Sequence, residues 1–184
     1  VKSIGVPATG RISPENVTQA NLIVDKIINY EKNPPTSTAF YNKVLDFAYF
    51  QDDGTDGKED MNFTQSAEDI RNNLISKGYT VDRYYVHDNN PTCPKKGYTG
   101  ITLPNELLDC SDVWNRNISE SVSAINNGRV FAYYRGHGSK TALHSVGFTN
   151  TQVQSLNNGN KLPIFFNFTC QTGKFWDGDR TSPC

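Results

Sequence analysis

A chain of 184 residues with 18 basic and 19 acidic side chains has the length of one globular domain and a net charge of −1. That balance gives no electrostatic case for binding nucleic acid or an anionic membrane surface. No apolar run approaches the roughly 18 residues needed to span a bilayer.

The four cysteines, Cys93, Cys110, Cys170 and Cys184, are too few for a disulfide scaffold. Cys93 and Cys110 could pair in an oxidising compartment or stay as free thiols. No C-x-x-C occurs, and His87, His137 and His144 are not at zinc-ligand spacing with any cysteine pair, so no structural zinc site is expected.

In chain order, Ser13-Pro14-Glu15 predicts a helix start, and Val17, Ala20, Val24, Ile27 and Ile28 continue at helical spacing to Asn33-Pro34-Pro35. Residues 44–50 form a nearly continuous apolar run of strand length, read as a strand buried on both faces. A polar, glycine-punctuated loop over 51–60 follows. Ser66-x-x-Asp69 resembles a capping box for a second helix carrying Ala67, Ile70 and Leu74, stopped at Gly78. Val81 to Val86 reads as a second strand and residues 88–112 as an irregular excursion. Ile118, Val122 and Ile125 predict a short helix ended by Asn127-Gly128, followed by a third strand over 129–134. A short helix over 149–156 precedes a fourth, almost continuously apolar strand over 162–169. Alternating helices and doubly buried strands predict an α/β fold with a mainly parallel sheet covered on both faces. Ligands of such sheets bind beyond the carboxyl ends of the strands.

Two of those ends carry chemistry. The third strand runs into Tyr134-Arg135-Gly136-His137-Gly138-Ser139, and the fourth ends in Phe168-Thr169-Cys170-Gln171-Thr172-Gly173. A thiol of ordinary pKa about 8.5 is little ionised at neutral pH, and an adjacent imidazole can take its proton so that the thiolate attacks a carbonyl carbon. The amides of Gly138 and Cys170 are candidates for stabilising the resulting oxyanion. Against this stands the commoner use of a lone cysteine as a small buried apolar residue. Core packing does not explain a histidine flanked by two glycines.

These strand ends resemble those of the gingipain-type cysteine peptidases, family C25 of the caspase-like clan. Residues 127–139 are similar to the family's histidine strand and residues 162–175 to its cysteine strand, with His137 and Cys170 33 residues apart as in that family. Gly10-Arg11, the segment Lys26 to Lys32 ending in Tyr30-Glu31-Lys32, and Asp56-Gly57-Lys58-Glu59-Asp60 resemble further family elements. The resemblance implies a caspase-like α/β/α sandwich, His137 as general acid/base, Cys170 as nucleophile and the amides of Gly138 and Cys170 as oxyanion hole. In arginine-specific members the second Asp of a D-G-x-x-D loop binds the substrate's P1 guanidinium, which makes Asp60 the substrate-binding candidate. A helix cap, a solvated carboxylate, or a structural calcium site built from Asp52, Asp53, Asp56, Glu59 and Asp60 are the other readings of that loop.

The sequence also departs from the family. Where arginine-specific members carry a Glu after the strand equivalent to 44–50, this chain has Gln51, Asp52 and Asp53, so no third catalytic residue is expected. Six residues beyond the histidine, where they carry Trp, it has Leu143. Family members have strands before the G-R segment and a helix from about Cys184 onward. The 184 residues are therefore read as a single caspase-like catalytic domain lacking flanking strands at both ends, with Cys184 structural and other segments of the same precursor as partners.

The functional expectation is a cysteine endopeptidase, secreted or on the surface of a bacterium, cleaving peptide or protein substrates with Arg or Lys at P1 and needing no cofactor. The alternatives are a sortase-like acyl transferase with the same dyad, and an inert surface or adhesion module.

Overall fold

The computed structural model describes residues 12–88, 92–108 and 110–174. Helix α1, Val17–Lys32, belongs to a compact unit separate from Pro34–Gly173. It starts later than Ser13 suggests. The Asn16 side chain accepts from the Gln19 amide at 2.9 Å, while Gln19 Oε1 accepts from the Glu15 amide at 2.9 Å. The orphan amide of Gln19 is satisfied there, and the same side chain anchors the Glu15 amide ahead of the cap, which the Ser13-Pro14 pair does not offer.

The second unit opens with the single-turn helix α2, Thr38–Tyr41, and is built on a four-stranded parallel sheet. Its strands are β1 (Lys43–Phe50), β2 (Thr80–His87), β3 (Phe131–Arg135) and β7 (Ile164–Phe168), in the order β2-β1-β3-β7. Alternation along β1 divides the core. Val44, Ala48 and Phe50 pack with Ala67 and Leu74 of α3 (Thr64–Ser76). Leu45 and Phe47 pack on the other face with Val122 and Ile125 of α4 (Ile118–Asn126). The result is a three-layer α/β/α arrangement, and β1, covered on both sides, is buried almost throughout.

The helix ends follow their local chemistry. Asn117 and Glu120 form a capping box at the start of α4, and Gly128 leaves it with φ +96°. Gly78, at φ +89°, follows α3 in the same way. The start of α3 departs from expectation. It begins at Thr64 rather than at Ser66, because the buried carboxylate of Glu59 accepts from the amides of Phe63, Thr64 and Gln65. Ser66 instead donates to the Asn62 and Phe63 carbonyls just ahead of the helix.

Strand β7 also departs from the doubly buried reading. No described strand pairs with its outer side, and Ile164, Phe166 and Phe168 are about half exposed. Only Phe165 turns inward, stacking on Phe47 at 5.9 Å. Between β3 and β7 lies a small antiparallel sheet, β4 (Gly138–Ser139), β5 (Ala142–Leu143) and β6 (Phe148–Thr149), leading into α5 (Asn150–Gln154). The excursion after β2 contains one 3₁₀ turn, Asn105–Leu107, and is closed by a Cys93–Cys110 disulfide, which resolves the question left open by spacing.

Candidate active site at the ends of β3 and β7

Strands β3 and β7 run parallel, and their last paired residues are Arg135 and Phe168. His137 and Cys170 each lie two residues beyond that pair, on neighbouring chains leaving the same sheet edge. The two chains touch there. A Cβ on Gly138 would fall 2.5 Å from the Cys170 carbonyl oxygen and 2.5 Å from Thr169 Oγ1. A Cβ on Gly136 would fall 2.3 Å from the Tyr134 hydroxyl, which donates to the His137 carbonyl at 2.6 Å. Close approach of the Cys170 backbone therefore explains Gly138, and the Tyr134 phenol packed against the chain explains Gly136. Cys170 is an exposed free thiol, and the following residue, Gln171, is held at φ +63°. A non-glycine residue in that region is strained, a feature that clusters at functional sites.

The imidazole of His137 is held by its surroundings. Its Nε2 lies 2.8 Å from Gln51 Oε1. The Gln51 amide nitrogen donates to Asp53 Oδ2 at 2.5 Å, which turns Oε1 toward the imidazole. Nε2 must then be the protonated nitrogen, leaving the lone pair of a neutral ring on Nδ1. Phe63 meets the ring edge-on at 5.3 Å, and Tyr49 lies 5.9 Å away. The His137 carbonyl also accepts from the His144 amide at 2.8 Å.

Arg135 fixes the facing segment. Its Nε donates to Ser66 Oγ and its Nη2 to the Asn62 carbonyl, both at 2.9 Å, with the guanidinium 5.7 Å from the Phe63 ring centre. Gln51 therefore occupies the place beside His137 for which no third residue is expected from sequence. The missed signal is its position directly after β1, the strand next to β3.

In the acidic loop over 51–60, Asp52 and Asp60 spend their carboxylates on the loop's own backbone. Asp52, 2% exposed, accepts from the amides of Asp56 (3.1 Å) and Gly57 (2.9 Å). Asp60 is exposed. Its Oδ2 accepts from the amides of Asp53 (2.7 Å) and Gly54 (3.3 Å), and its own amide donates to the Gln51 carbonyl at 2.8 Å. Asp60 thus ties down the residue that touches His137, and the helix-cap reading passes from Asp60 to Glu59. Burial pushes the Glu59 carboxyl up, and the three backbone donors oppose that shift. Among the described residues no three His, Cys, Asp or Glu side chains converge as a metal site. Gly10, Arg11 and Cys184, read as family positions, lie outside the described residues.

Comparison with known proteins bears on the family and the fold. The profile of Peptidase family C25 matches residues 6–184. Gingipain R2 of Porphyromonas gingivalis is 29% identical over 170 residues, covering 90% of this chain and 19% of that protein. Lys-gingipain HG66 of the same species is 30% identical over 176 residues, covering 94% of this chain and 8% of that protein. The chain thus spans less than a fifth of the length of these curated relatives. Among solved structures, the Arg-specific cysteine proteinase gingipain R superposes with a TM-score of 0.65 at 26% identity, covering 95% of this chain and 34% of that one. The complex of the pro- and mature domains of Porphyromonas gingivalis RgpB gives the same TM-score at 27% identity. The parallel sheet with helices on both faces is accordingly the caspase-like α/β/α sandwich.

Proposed function

The chain belongs to peptidase family C25, and from that premise we propose that it carries the Cys–His dyad of a cysteine endopeptidase selective for Arg or Lys at P1. The observation that carries this reading is the equal displacement of His137 and Cys170 beyond the Arg135–Phe168 pair. The names of the relatives, an Arg-specific proteinase and Lys-gingipains, support the basic P1 residue.

The proposed reaction begins when the Cys170 thiol gives its proton to the imidazole nitrogen not engaged by Gln51. The thiolate attacks the scissile carbonyl, and the amides of Gly138 and Cys170 receive the developing oxyanion. The imidazolium then protonates the leaving amine as the C–N bond breaks, leaving a thioester on Cys170. Water, deprotonated by His137, hydrolyses that thioester, and the proton returns to the thiol. No step draws on a cofactor or metal. Asp60 is assigned to the P1 cation. Its Oδ2 is engaged by loop amides, so the substrate would meet a carboxylate already fixed in direction.

Secretion, or display on a bacterial surface, is part of the same reading and is supported by the Cys93–Cys110 disulfide, a bond that persists in oxidising compartments. Further segments of one precursor are its expected partners, in line with the solved complex of RgpB pro- and mature domains. Among the described residues no helix is long and apolar enough to cross a membrane.

The test is a peptide-library cleavage profile of the protein against Cys170→Ala. The expected result is cleavage after Arg or Lys that the substitution abolishes, and turnover that survives it would overturn the dyad. An added amine, followed by mass spectrometry of the products, separates hydrolysis from acyl transfer.

A further inference from the structure

A cavity of about 280 Å³ lies beside the proposed dyad, between the small antiparallel sheet and β7. Leu143, Phe148 and Phe165 form its apolar base, and Val153 of α5 walls one side. Its lining includes Ser139, the residue after Gly138, and Thr172, two residues after Cys170. It thus opens where the two chains bearing the oxyanion amides meet. No Asp or Glu lines it, and Lys140 is its one charged lining residue, so it offers nothing to a cationic side chain.

The side of the sheet on which it lies matters. Side chains of β7 alternate between faces. Phe166 and Phe168 line an apolar trough with Ile70 and Leu74 of α3, whereas Phe165 and Asn167 line this cavity on the opposite face. The segment from Asp60 to Ser66 leads into α3 and is tied to Arg135 at Asn62 and Ser66, so Asp60 belongs to the α3 side. With Asp60 on the α3 side, the cavity lies on the opposite face of β7, and one arm of a peptide whose P1 side chain faces Asp60 and whose carbonyl reaches Cys170 can run toward it.

We propose that this cavity is a leaving-group subsite for an uncharged, bulky apolar side chain of the substrate, with Val153 as a specificity-determining residue. A buried apolar base discriminates by size, roughly ten-fold or more between a large and a minimal side chain. The proposal rests on the dyad reading given above and adds a second point of selectivity to it.

The test uses internally quenched peptides with Arg at P1 and Gly, Leu, Phe, Asp or Lys at each of the first two leaving-group positions. Val153 is 53% exposed, so Val153→Trp fills the cavity from its rim without a buried substitution. At one of the two positions, kcat/KM for Leu or Phe should exceed that for Gly by about ten-fold or more. Val153→Trp should bring that ratio close to one. A flat profile, a preference for Asp or Lys, or a ratio untouched by Val153→Trp overturns the subsite. Each of those outcomes with cleavage still dependent on Cys170 leaves the dyad standing. Cleavage that persists in Cys170→Ala removes the dyad instead.

Discussion

Gln51 Oε1 accepts from His137 Nε2 at 2.8 Å, joining the end of β1 to the histidine that follows β3. The amide of the same side chain is fixed by Asp53, so the contact is directional. A neutral acceptor in that place orients the ring and selects its tautomer without bringing a second charge next to it.

Gln51→Leu should therefore lower kcat by about 10²-fold with little change in KM, within the range attributed to a positioned acid/base. Gln51→Glu keeps an acceptor but loses the donor to Asp53 and sets two carboxylates side by side, so it should recover only part of the loss. Steady-state kinetics of the two variants, with ¹⁵N spectra of His137 reporting the Nε2–H tautomer, make the comparison. A leucine variant of unchanged kcat and tautomer would remove Gln51 from the site.

Gly138 offers a sharper steric test. Alanine there would meet the Cys170 carbonyl and Thr169 Oγ1 at 2.5 Å, whereas a Cβ on Gly173 has nothing within 4 Å and its φ is not in the left-handed region. Gly138→Ala should destabilise the fold by about 1–3 kcal/mol and displace the Cys170 chain, with loss of turnover. Gly173→Ala, three residues past the same cysteine, should be silent in both assays. Equal behaviour of the two variants in thermal melts and kinetics would contradict the close approach.

The parts of this architecture legible in the sequence are those written in local pattern. The apolar runs of β1 and β3, the Asn127-Gly128 stop and the paired glycines around His137 are features of contiguous residues, and each has its counterpart in the fold. The less legible parts depend on lateral neighbours. Gln51 meets His137 because β1 lies beside β3, an order that no spacing in the chain encodes. Glu59 takes over the start of α3 because the loop folds back on it, overriding the capping pattern at Ser66. The apolar run of β7 suggests burial on both faces, yet burial depends on what lies alongside, and among the described residues nothing pairs with its outer edge. The Cys93–Cys110 pairing needed the folded path of the excursion, which spacing alone left open.

Asp46 links the core to pH. It is fully buried in mid-β1, with Tyr85 of β2 donating to it and Tyr133 of β3 and Glu68 and Arg71 of α3 around it. Burial, the largest influence, pushes its carboxyl from 3.8 up to about 8, with the Tyr133 and Tyr85 hydroxyls opposing. A folded value above the unfolded one means that the protonated form stabilises the native state. Its contribution is complete below about pH 4 and is lost as pH rises through about 8. Chemical denaturation should show stability falling across that window by a few kcal/mol. Asp46→Asn should flatten the profile there, and an unchanged slope would locate the dependence elsewhere.

Asp60 tests selectivity without disturbing its own loop. Its Oδ2 serves the amides of Asp53 and Gly54, and the carbonyl oxygen of asparagine can accept the same two bonds. Asp60→Asn therefore removes charge while keeping the acceptor that holds the loop. If the carboxylate recognises the P1 cation, the substitution removes a charge-assisted hydrogen bond of about 1.5–3 kcal/mol. That corresponds to a loss of roughly ten- to hundred-fold in kcat/KM for Arg and Lys peptides. Peptides with an uncharged P1 residue should be cleaved as before, and melting curves should coincide with those of the unmodified protein. A uniform loss across all P1 residues would identify Asp60 as support for Gln51 and the loop alone, because its amide also holds the Gln51 carbonyl at 2.8 Å. The ratio of basic to uncharged P1 turnover is thus the quantity that separates recognition from scaffolding.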